Sequence, residues 1–333
     1  MKEGNMVDSA PTRNLALELV RVTESAALAS GRYMGRGEKE KADHAAVEGM
    51  RLVLNSVQMD GVVVIGEGEK DSAPMLYNGE RLGTGDPPEV DIAVDPIDGT
   101  RPFALGLPNS IATVALAPRG TMFDPGPCVY MHKLAVGPIA RDVIDIEAPV
   151  EENLRRIAKA KGEDVDDLTV VILDRPRHQE LIARVRKVGA RISMIQDGDV
   201  AGALMTALPD TGIDVLLGIG GTPEGVIAAC ALRAMGGNIQ GMPYARTEEE
   251  RRLGEEMGIH FDQVLTIDDL VSSDDVFFAA TGLTNGDLLR GVDYFAEGAI
   301  TDSLVVRGLT GTVRRIQARH RLSKLSQISE IAY

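Results

Sequence analysis

The run Asp95-Pro96-Ile97-Asp98-Gly99-Thr100 puts two carboxylates and a hydroxyl within six residues, directly after the apolar alternation Val90-Asp91-Ile92-Ala93-Val94. That alternation predicts a buried strand running out into a turn, where the three groups would converge. Carboxylate oxygens are the ligands that hard divalent cations such as Mg²⁺ prefer, with positions left for water and substrate phosphate. Gly99 and Thr100 are placed to open a helix, whose free N–H groups favour an anion. The same six residues also make an ordinary Asp-Pro, Asp-Gly turn of the kind that ends many strands.

Two further elements bear on that choice. Val62-Val63-Val64-Ile65 reads as a buried strand ending in Gly66-Glu67-Gly68-Glu69, where glycines let backbone and carboxylate approach a ligand closely. Asp214-Val215-Leu216-Leu217 runs into Gly218-Ile219-Gly220-Gly221-Thr222-Pro223-Glu224-Gly225, which reads as strand, glycine turn and a helix opened by proline. Three strand ends thus deliver acids or small residues, and ligands of open α/β sheets bind where strands end.

Phosphate chemistry also needs a cationic partner. Val170-Val171-Ile172-Leu173 predicts a strand, followed at once by Asp174-Arg175-Pro176-Arg177-His178. Two guanidiniums one residue apart beyond a strand end suit a phosphate, which arginine binds through a planar set of donors; solvated surface charge is the plainer account. Tyr130 offers a hydroxyl, although an isolated tyrosine says little.

The elements that must position these groups are legible in outline. Leu15, Leu19, Val22, Ala26 and Ala29 fall at helical spacing, as do Val47, Met50, Leu54 and Val57, so two amphipathic helices precede the first strand. Asp43 lies in the connection Lys39–Asp43 expected between them, where it also fits a helix N-cap. Ile111–Leu116 predicts another strand. Beyond the acidic, proline-containing region Ala148–Asp167, strands and helices alternate: Val170–Leu173, Gln179–Val188, Arg191–Ile195, a helix from Val200, Asp214–Leu217 and a helix over Pro223–Met235. This half reads as α/β with parallel strands, followed by strands near Asp275–Ala280 and Ser303–Val306. The expected division is a mobile extension over 1–13, an N-terminal metal-binding α/β domain over 14–150, a C-terminal α/β substrate domain over 151–320 and a tail over 321–333.

Composition narrows the function. The 333 residues carry 50 acidic and 35 basic side chains, a formal charge of −15. That argues against a nucleic-acid partner, which meets a basic face. An anionic substrate would be drawn in by local cations against the overall field. Cys128 and Cys230 are far apart and have no ligand spacing, so neither a disulfide framework nor a zinc site is indicated. His44, His132, His178, His260 and His320 never pair as zinc ligands do; only His178, beside the two arginines, invites attention. Pro223 stands where a dinucleotide fingerprint needs its third glycine, and no P-loop lysine is present. Apolar runs are too short to span a bilayer, and Met1–Arg13 has no apolar core, so a cytoplasmic protein without a membrane partner is expected.

Taken together, these motifs resemble one family, the class II (GlpX-type) fructose-1,6-bisphosphatases of the metal-dependent, lithium-sensitive sugar phosphatases. The resemblance runs from about Asn14 to about Arg319. Besides the motifs above it covers Arg21–Ala29, Gly35–Lys39 with Ala42-Asp43, Ala73–Tyr77, Tyr130–Leu134, Asp197-Gly198-Asp199-Val200 and Ala280–Asp287. Many members read Asp-Pro-Ile-Glu-Gly-Thr, whereas this chain has the shorter Asp98 in the fourth place.

The resemblance implies a layered sugar-phosphatase fold of two α/β domains with the active site between them. It places Mn²⁺ or Mg²⁺ on Asp43, Glu67, Asp95, Asp98 and Glu224. It places substrate on Asp98, Gly99 and Thr100, on Tyr130, on Arg175, Pro176 and Arg177, on Asp197, Gly198 and Asp199, and on Gly221. Thr100, with Asp95 and Glu224, would serve catalysis at the 1-phosphate of fructose 1,6-bisphosphate, the arginines and Tyr130 would hold the distal phosphate, and Asp197 and Asp199 would face the sugar. Taken alone, the last two are equally a turn around Gly198. A homodimer or tetramer is also implied. Sedoheptulose 1,7-bisphosphate is the neighbouring substrate; an inositol-phosphate or nucleotide phosphatase fits the arginine pair less well, and a non-catalytic sugar-phosphate sensor would not need the full set of acids.

Overall fold

The computed structural model describes residues 14–68, 75–126 and 128–328. The expected N-terminal extension, Glu69, Ala73, Pro74 and the last five residues lie outside them. Two helices come first, α1 (Ala16–Ser30) and α2 (Lys39–Leu54), then β1 (Asp60–Ile65), β2 (Arg81–Leu82), β3 (Glu89–Asp98), α3 (Thr100–Leu105), β4 (Ile111–Pro118) and β5 (Tyr130–Val136). There follow α4 (Val150–Lys161), β6 (Thr169–Leu173), α5 (Gln179–Val188), β7 (Arg191–Ile195), α6 (Asp199–Met205), β8 (Val215–Gly221), α7 (Thr222–Met235) and β9 (Asn238–Tyr244). The last third contains α8 (Glu248–Glu256), α9 (Ile267–Leu270), β10 (Phe277–Gly282), β11 (Asp293–Phe295), β12 (Gly298–Arg307), β13 (Thr312–Arg321) and α10 (Leu322–Ile328).

The strands form two sheets. One has the order β11-β12-β10-β4-β3-β1-β2, with β13 also paired to β12; the other runs β7-β6-β8-β5-β9. Three apolar clusters fill the spaces around them. The face of the first sheet carrying Ile92, Val94, Val114 and Ala279 packs on α1 and α2. The face of the second sheet carrying Val170, Ile172 and Val215 packs on α4 and α5. Between the sheets lie α6 and α7, whose side chains join Ile65, Ala93 and Phe278 of the first sheet to Met131, Val171 and Leu216 of the second. The result is a five-layer α/β/α/β/α sandwich, the layered α/β architecture expected. Because α7 touches both sheets, ten of its fourteen residues are buried, and its apolar surface is not confined to one stripe. Replacing Phe278 by Ala in this middle layer would cost about 3–5 kcal/mol.

Several local expectations change. Lys39–Asp43 is not a connection: α2 begins at Lys39 after an N-cap at Glu38, so Asp43 sits inside a helix. Gly218–Gly221 is not a turn but the end of β8, extended so that Gly221 pairs with Tyr130. In the second sheet β7, β6, β8 and β9 run in one direction, and β5 alone lies antiparallel between β8 and β9. Sheet membership therefore does not divide near residue 150: β5 belongs to the second sheet, and β10 to β13 complete the first. The expected tail begins with the last residue of β13 and continues into α10.

Candidate active site

Acids from four elements meet in one cavity of about 400 Å³. Asp43 of α2, Glu67 just beyond β1, Asp95 of β3 and Glu224 in the first turn of α7 line it with Thr100 and Asp197. β1 and β3 are parallel neighbours, so their ends deliver Glu67 and Asp95 to the same edge of the sheet. α7 then brings Glu224 to that edge from the layer between the sheets. Lys39 and Arg101 are the cations of the lining.

The acids are held at a cost. Burial pushes the Asp95 carboxyl well above its usual range, and repulsion from Asp98, Glu224 and Glu67 adds to the rise. Asp98 is raised in the same way, by burial and then by Asp199 and Glu224, while Lys133 opposes the rise. Burial also raises Glu224, again opposed by Lys133. Glu67 is pushed up to about 7 by burial and by Asp43, and burial raises Asp43 itself. Asp98 Oδ2 and Glu224 Oε2 are buried without a hydrogen-bond partner. A Cβ at Gly221 would lie 1.8 Å from Glu224 Oε2, so only glycine leaves that carboxylate its place.

Among the described residues, no group of three or more histidine, cysteine or carboxylate side chains is arranged to hold a metal ion. The donor set nonetheless fits a hard divalent cation in chemical type. It is all carboxylate, its members repel one another, and two of its buried oxygens lack any partner.

Local geometry places the turn that the sequence singled out. Gly99 adopts φ +87°, a left-handed conformation that favours glycine, and ends β3 into α3. Ile97 N donates to Asp95 Oδ1 at 3.1 Å, and Thr100 Oγ1 donates to Ile97 O at 3.1 Å. With its hydrogen given to a carbonyl, the Thr100 hydroxyl oxygen is left as an acceptor at the cavity. α3 has only six residues, so its N-terminus offers a smaller dipole than a long helix would.

The remaining expected residues form a second group outside the cavity lining. Tyr130 opens β5 between Gly221 of β8 and Tyr244 of β9. Arg177 lies in the turn Pro176–His178 and donates Nη2 to Ile219 O at 2.7 Å, while Arg175 Nη2 pairs with Asp197 Oδ1 at 2.6 Å. Gly198, at φ +81°, caps α6, whose first residue is Asp199. His178 is buried, with Nδ1 2.7 Å from Leu173 O and Nε2 accepting from Ile219 N at 2.8 Å. The acceptor role of Nε2 puts the proton on Nδ1, so this neutral ring fastens the arginine turn to β8.

A model of the family described as bacterial fructose-1,6-bisphosphatase, glpX-encoded, matches residues 13–320. The chain belongs to that family. This GlpX-family chain is 48% identical over 325 residues to fructose-1,6-bisphosphatase 1 class 2 of Escherichia coli (strain K12), across 94% of this chain and 96% of that one. Fructose-1,6-bisphosphatase class 2 of Shigella flexneri matches with the same figures. Among solved structures, the extragenic suppressor protein suhB of Bartonella henselae aligns with a TM-score of 0.33 and 15% identity, over 58% of this chain and 71% of that one. An extragenic suppressor from Pyrococcus furiosus gives 0.30 and 12%, over 57% and 68%. Likeness of that degree carries no weight here.

Two residues that lie against these groups were not singled out by sequence reasoning. Lys133, 3% exposed, ion-pairs with Asp199 among the buried acids. Its signal was an inward-facing lysine between Met131 and Ala135 on one face of a strand, but β5 itself was not predicted. Arg246 follows β9, also unpredicted, and stands over the Tyr130 ring.

Proposed function

We propose that this chain hydrolyses the 1-phosphate of fructose 1,6-bisphosphate, giving fructose 6-phosphate and inorganic phosphate, with Asp43, Glu67, Asp95, Asp98 and Glu224 as ligands of divalent cations, Mn²⁺ or Mg²⁺. The observation that carries this reading is the convergence of Asp43, Glu67, Asp95 and Glu224 on one cavity in a chain of the GlpX family. Bound there, such cations neutralise phosphate oxygens and make water more acidic.

The protein's own groups do the rest. Thr100 Oγ1 accepts a hydrogen bond from the attacking water and so orients it toward phosphorus, since its own hydrogen is committed to Ile97 O. Asp98 and Thr100 flank the reacting phosphate across Gly99, whose left-handed φ of +87° makes the turn between them. Arg177, with Tyr130 beside it, meets the distal phosphate, and Asp197 and Asp199 accept from sugar hydroxyls. Arg175, tied to Asp197, holds that acceptor in place. Gly221 keeps the floor open beside Glu224. Cytoplasmic location and a homodimer or tetramer belong to the same proposal; among the described residues no helix is long and apolar enough to cross a membrane.

The test is phosphate release from a panel of sugar bisphosphates, including sedoheptulose 1,7-bisphosphate, by chelator-treated protein with and without Mn²⁺ or Mg²⁺. Turnover of fructose 1,6-bisphosphate that needs added cation is expected. Release that is unchanged by chelation, or absent with every bisphosphate, overturns the proposal.

A further inference from the structure

Arg175 and Arg177, one residue apart, are not two arms of one clamp. Arg175 spends its donors on the protein: Nη1 on the carbonyls of Asp174 and Gln196, and Nη2 on Asp197 Oδ1. Arg177 has a neutral carbonyl, Ile219 O, as its acceptor and no carboxylate at ion-pair distance among the described residues. Its guanidinium carbon lies 5.4 Å from the centre of the Tyr130 ring.

A second guanidinium meets the same ring. Arg246, two residues beyond β9, has its central carbon 4.9 Å from the Tyr130 centroid. Strand register accounts for this meeting: Tyr130 pairs with Tyr244 on one side and with Gly221 on the other, so the end of β9 and the end of β8 flank the start of β5. Two like charges gathered around one aromatic ring call for an anion between or beside them. Arg246 already holds one. Its Nε and Nη2 donate to Glu250 in the first turn of α8, and its backbone N donates to Glu250 Oε2 at 2.8 Å. Both side chains of this pair are well exposed, at 52% and 36%, so the exchange of one anion for another costs little. A phosphate dianion offers three acceptor oxygens to a planar fork of donors and is the stronger partner.

We propose that Arg246 is the second cationic arm for the distal phosphate of the substrate, closing on it with Arg177 around Tyr130, and that Glu250 holds Arg246 until the phosphate displaces the carboxylate. This specificity role rests on the bisphosphatase reading above. The pair Arg177 and Arg246 comes from two loops that sequence spacing does not connect: Arg177 lies in the turn after β6 and is bonded to the Ile219 carbonyl of β8, and Arg246 lies just beyond β9.

The experiment compares fructose 1,6-bisphosphate with fructose 1-phosphate, which lacks the distal group, in steady-state kinetics of the full chain. Arg246→Ala is expected to raise KM for the bisphosphate about tenfold, on the scale of one lost charge-assisted contact, with kcat and the monophosphate little changed. Arg246→Lys should recover part of that loss, keeping the charge but not the fork. Glu250→Gln should lower KM for the bisphosphate by freeing Arg246. Arg251→Ala, on the same helix, should change neither substrate. An equal loss with both substrates, or no loss in Arg246→Ala, overturns the role of Arg246. A KM raised by Glu250→Gln as far as by Arg246→Ala makes Glu250 an anchor and overturns its role as competitor. A parent protein that hydrolyses neither substrate instead overturns the bisphosphatase reading, and this one with it.

Discussion

Lys133 Nζ stands 2.8 Å from Asp199 Oδ2, and both side chains are almost wholly buried. Glycines make this possible. Lys133 pairs across β5 with Gly218 of β8 and Gly241 of β9, and a Cβ at Gly220 would lie 3.0 Å from its ammonium nitrogen. Lys133 also opposes the rise in the Asp98 and Glu224 carboxyls, which makes it the fixed counter-charge of the buried acids.

Lys133→Met should therefore unfold much more easily than the parent. Removing one partner of a buried pair leaves the other charged and unsolvated, at a cost of about 3–5 kcal/mol. Urea unfolding in the presence of chelator measures this. An unchanged midpoint would mean that Asp199 is not compensated by Lys133.

A pH-dependent contribution comes from the other side of the first sheet. Glu24 of α1 is pushed up to about 7 by burial, against the Thr301 hydroxyl and Arg21, which lower it; the neutral acid is the form the fold prefers. Its folded value lies above its unfolded value of 4.5, so its stabilising proton is fully present below pH 4.5 and is lost as pH rises through 7. His320, 3.7 Å away, is lowered by burial and slopes the opposite way below its usual value of 6.5. The difference between Glu24→Gln and the parent isolates the glutamate. The variant should gain relative stability from pH 4.5 to about 7 and level off near 3 kcal/mol. A flat difference across that range refutes the neutral carboxyl.

How far the sequence revealed this molecule varies with the kind of signal. β1 and β6 announced themselves through runs of β-branched residues, β3 and β4 through apolar patterning, and α5 and α7 as helices following strands. β5 and β9 did not. His132 and Lys133 interrupt the one and Gln240 and Pro243 the other, because these strands carry polar groups toward the site or have partners only the fold supplies. Asp43 looked like a cap, since the start of α2 lacks a side-chain cap at Glu38 and offers no marked boundary. Asp95, Thr100 and Glu224 were legible from strand-end chemistry and motif. Their meeting with Asp43 and Glu67 depends on the parallel pairing of β1 with β3 and on α7 lying between the sheets, which no local pattern encodes.

Glu224→Gln should separate the two effects of the acidic cluster. In chelator, removing one of several mutually repelling buried carboxylates should raise Tm above that of the parent. Added Mn²⁺ should raise the parent's Tm by mass action but move the variant far less, and cation-dependent turnover should vanish. A variant that melts and turns over like the parent at saturating Mn²⁺ removes Glu224 from the ligand set.

Thr100→Ala should lower kcat far more than it raises KM, as an interaction realised mainly in the transition state does. Thr100→Ser keeps the hydroxyl and its donation to Ile97 O, so it should be much milder. Small and equal effects in both would reduce Thr100 to a residue that merely shapes the turn into α3.

Arg177 and Arg175 should differ in a way their sequence spacing does not suggest. Arg177 is partly buried beside Tyr130 and holds only the carbonyl of Ile219, so Arg177→Ala removes one charged donor from the distal phosphate. On roughly 1.5–3 kcal/mol for a hydrogen bond to a charged group, kcat/KM for fructose 1,6-bisphosphate should fall about tenfold to a hundredfold, and that for fructose 1-phosphate should fall little. Arg175 acts through Asp197, to which it is bound at 2.6 Å. Arg175→Ala frees that carboxylate, proposed above to face the sugar rather than the distal phosphate, so both substrates should suffer alike. The ratio of kcat/KM values between the two substrates is thus the discriminating quantity: it should drop in Arg177→Ala and hold steady in Arg175→Ala. The reverse pattern would assign the distal phosphate to Arg175, against the partners these two guanidiniums have.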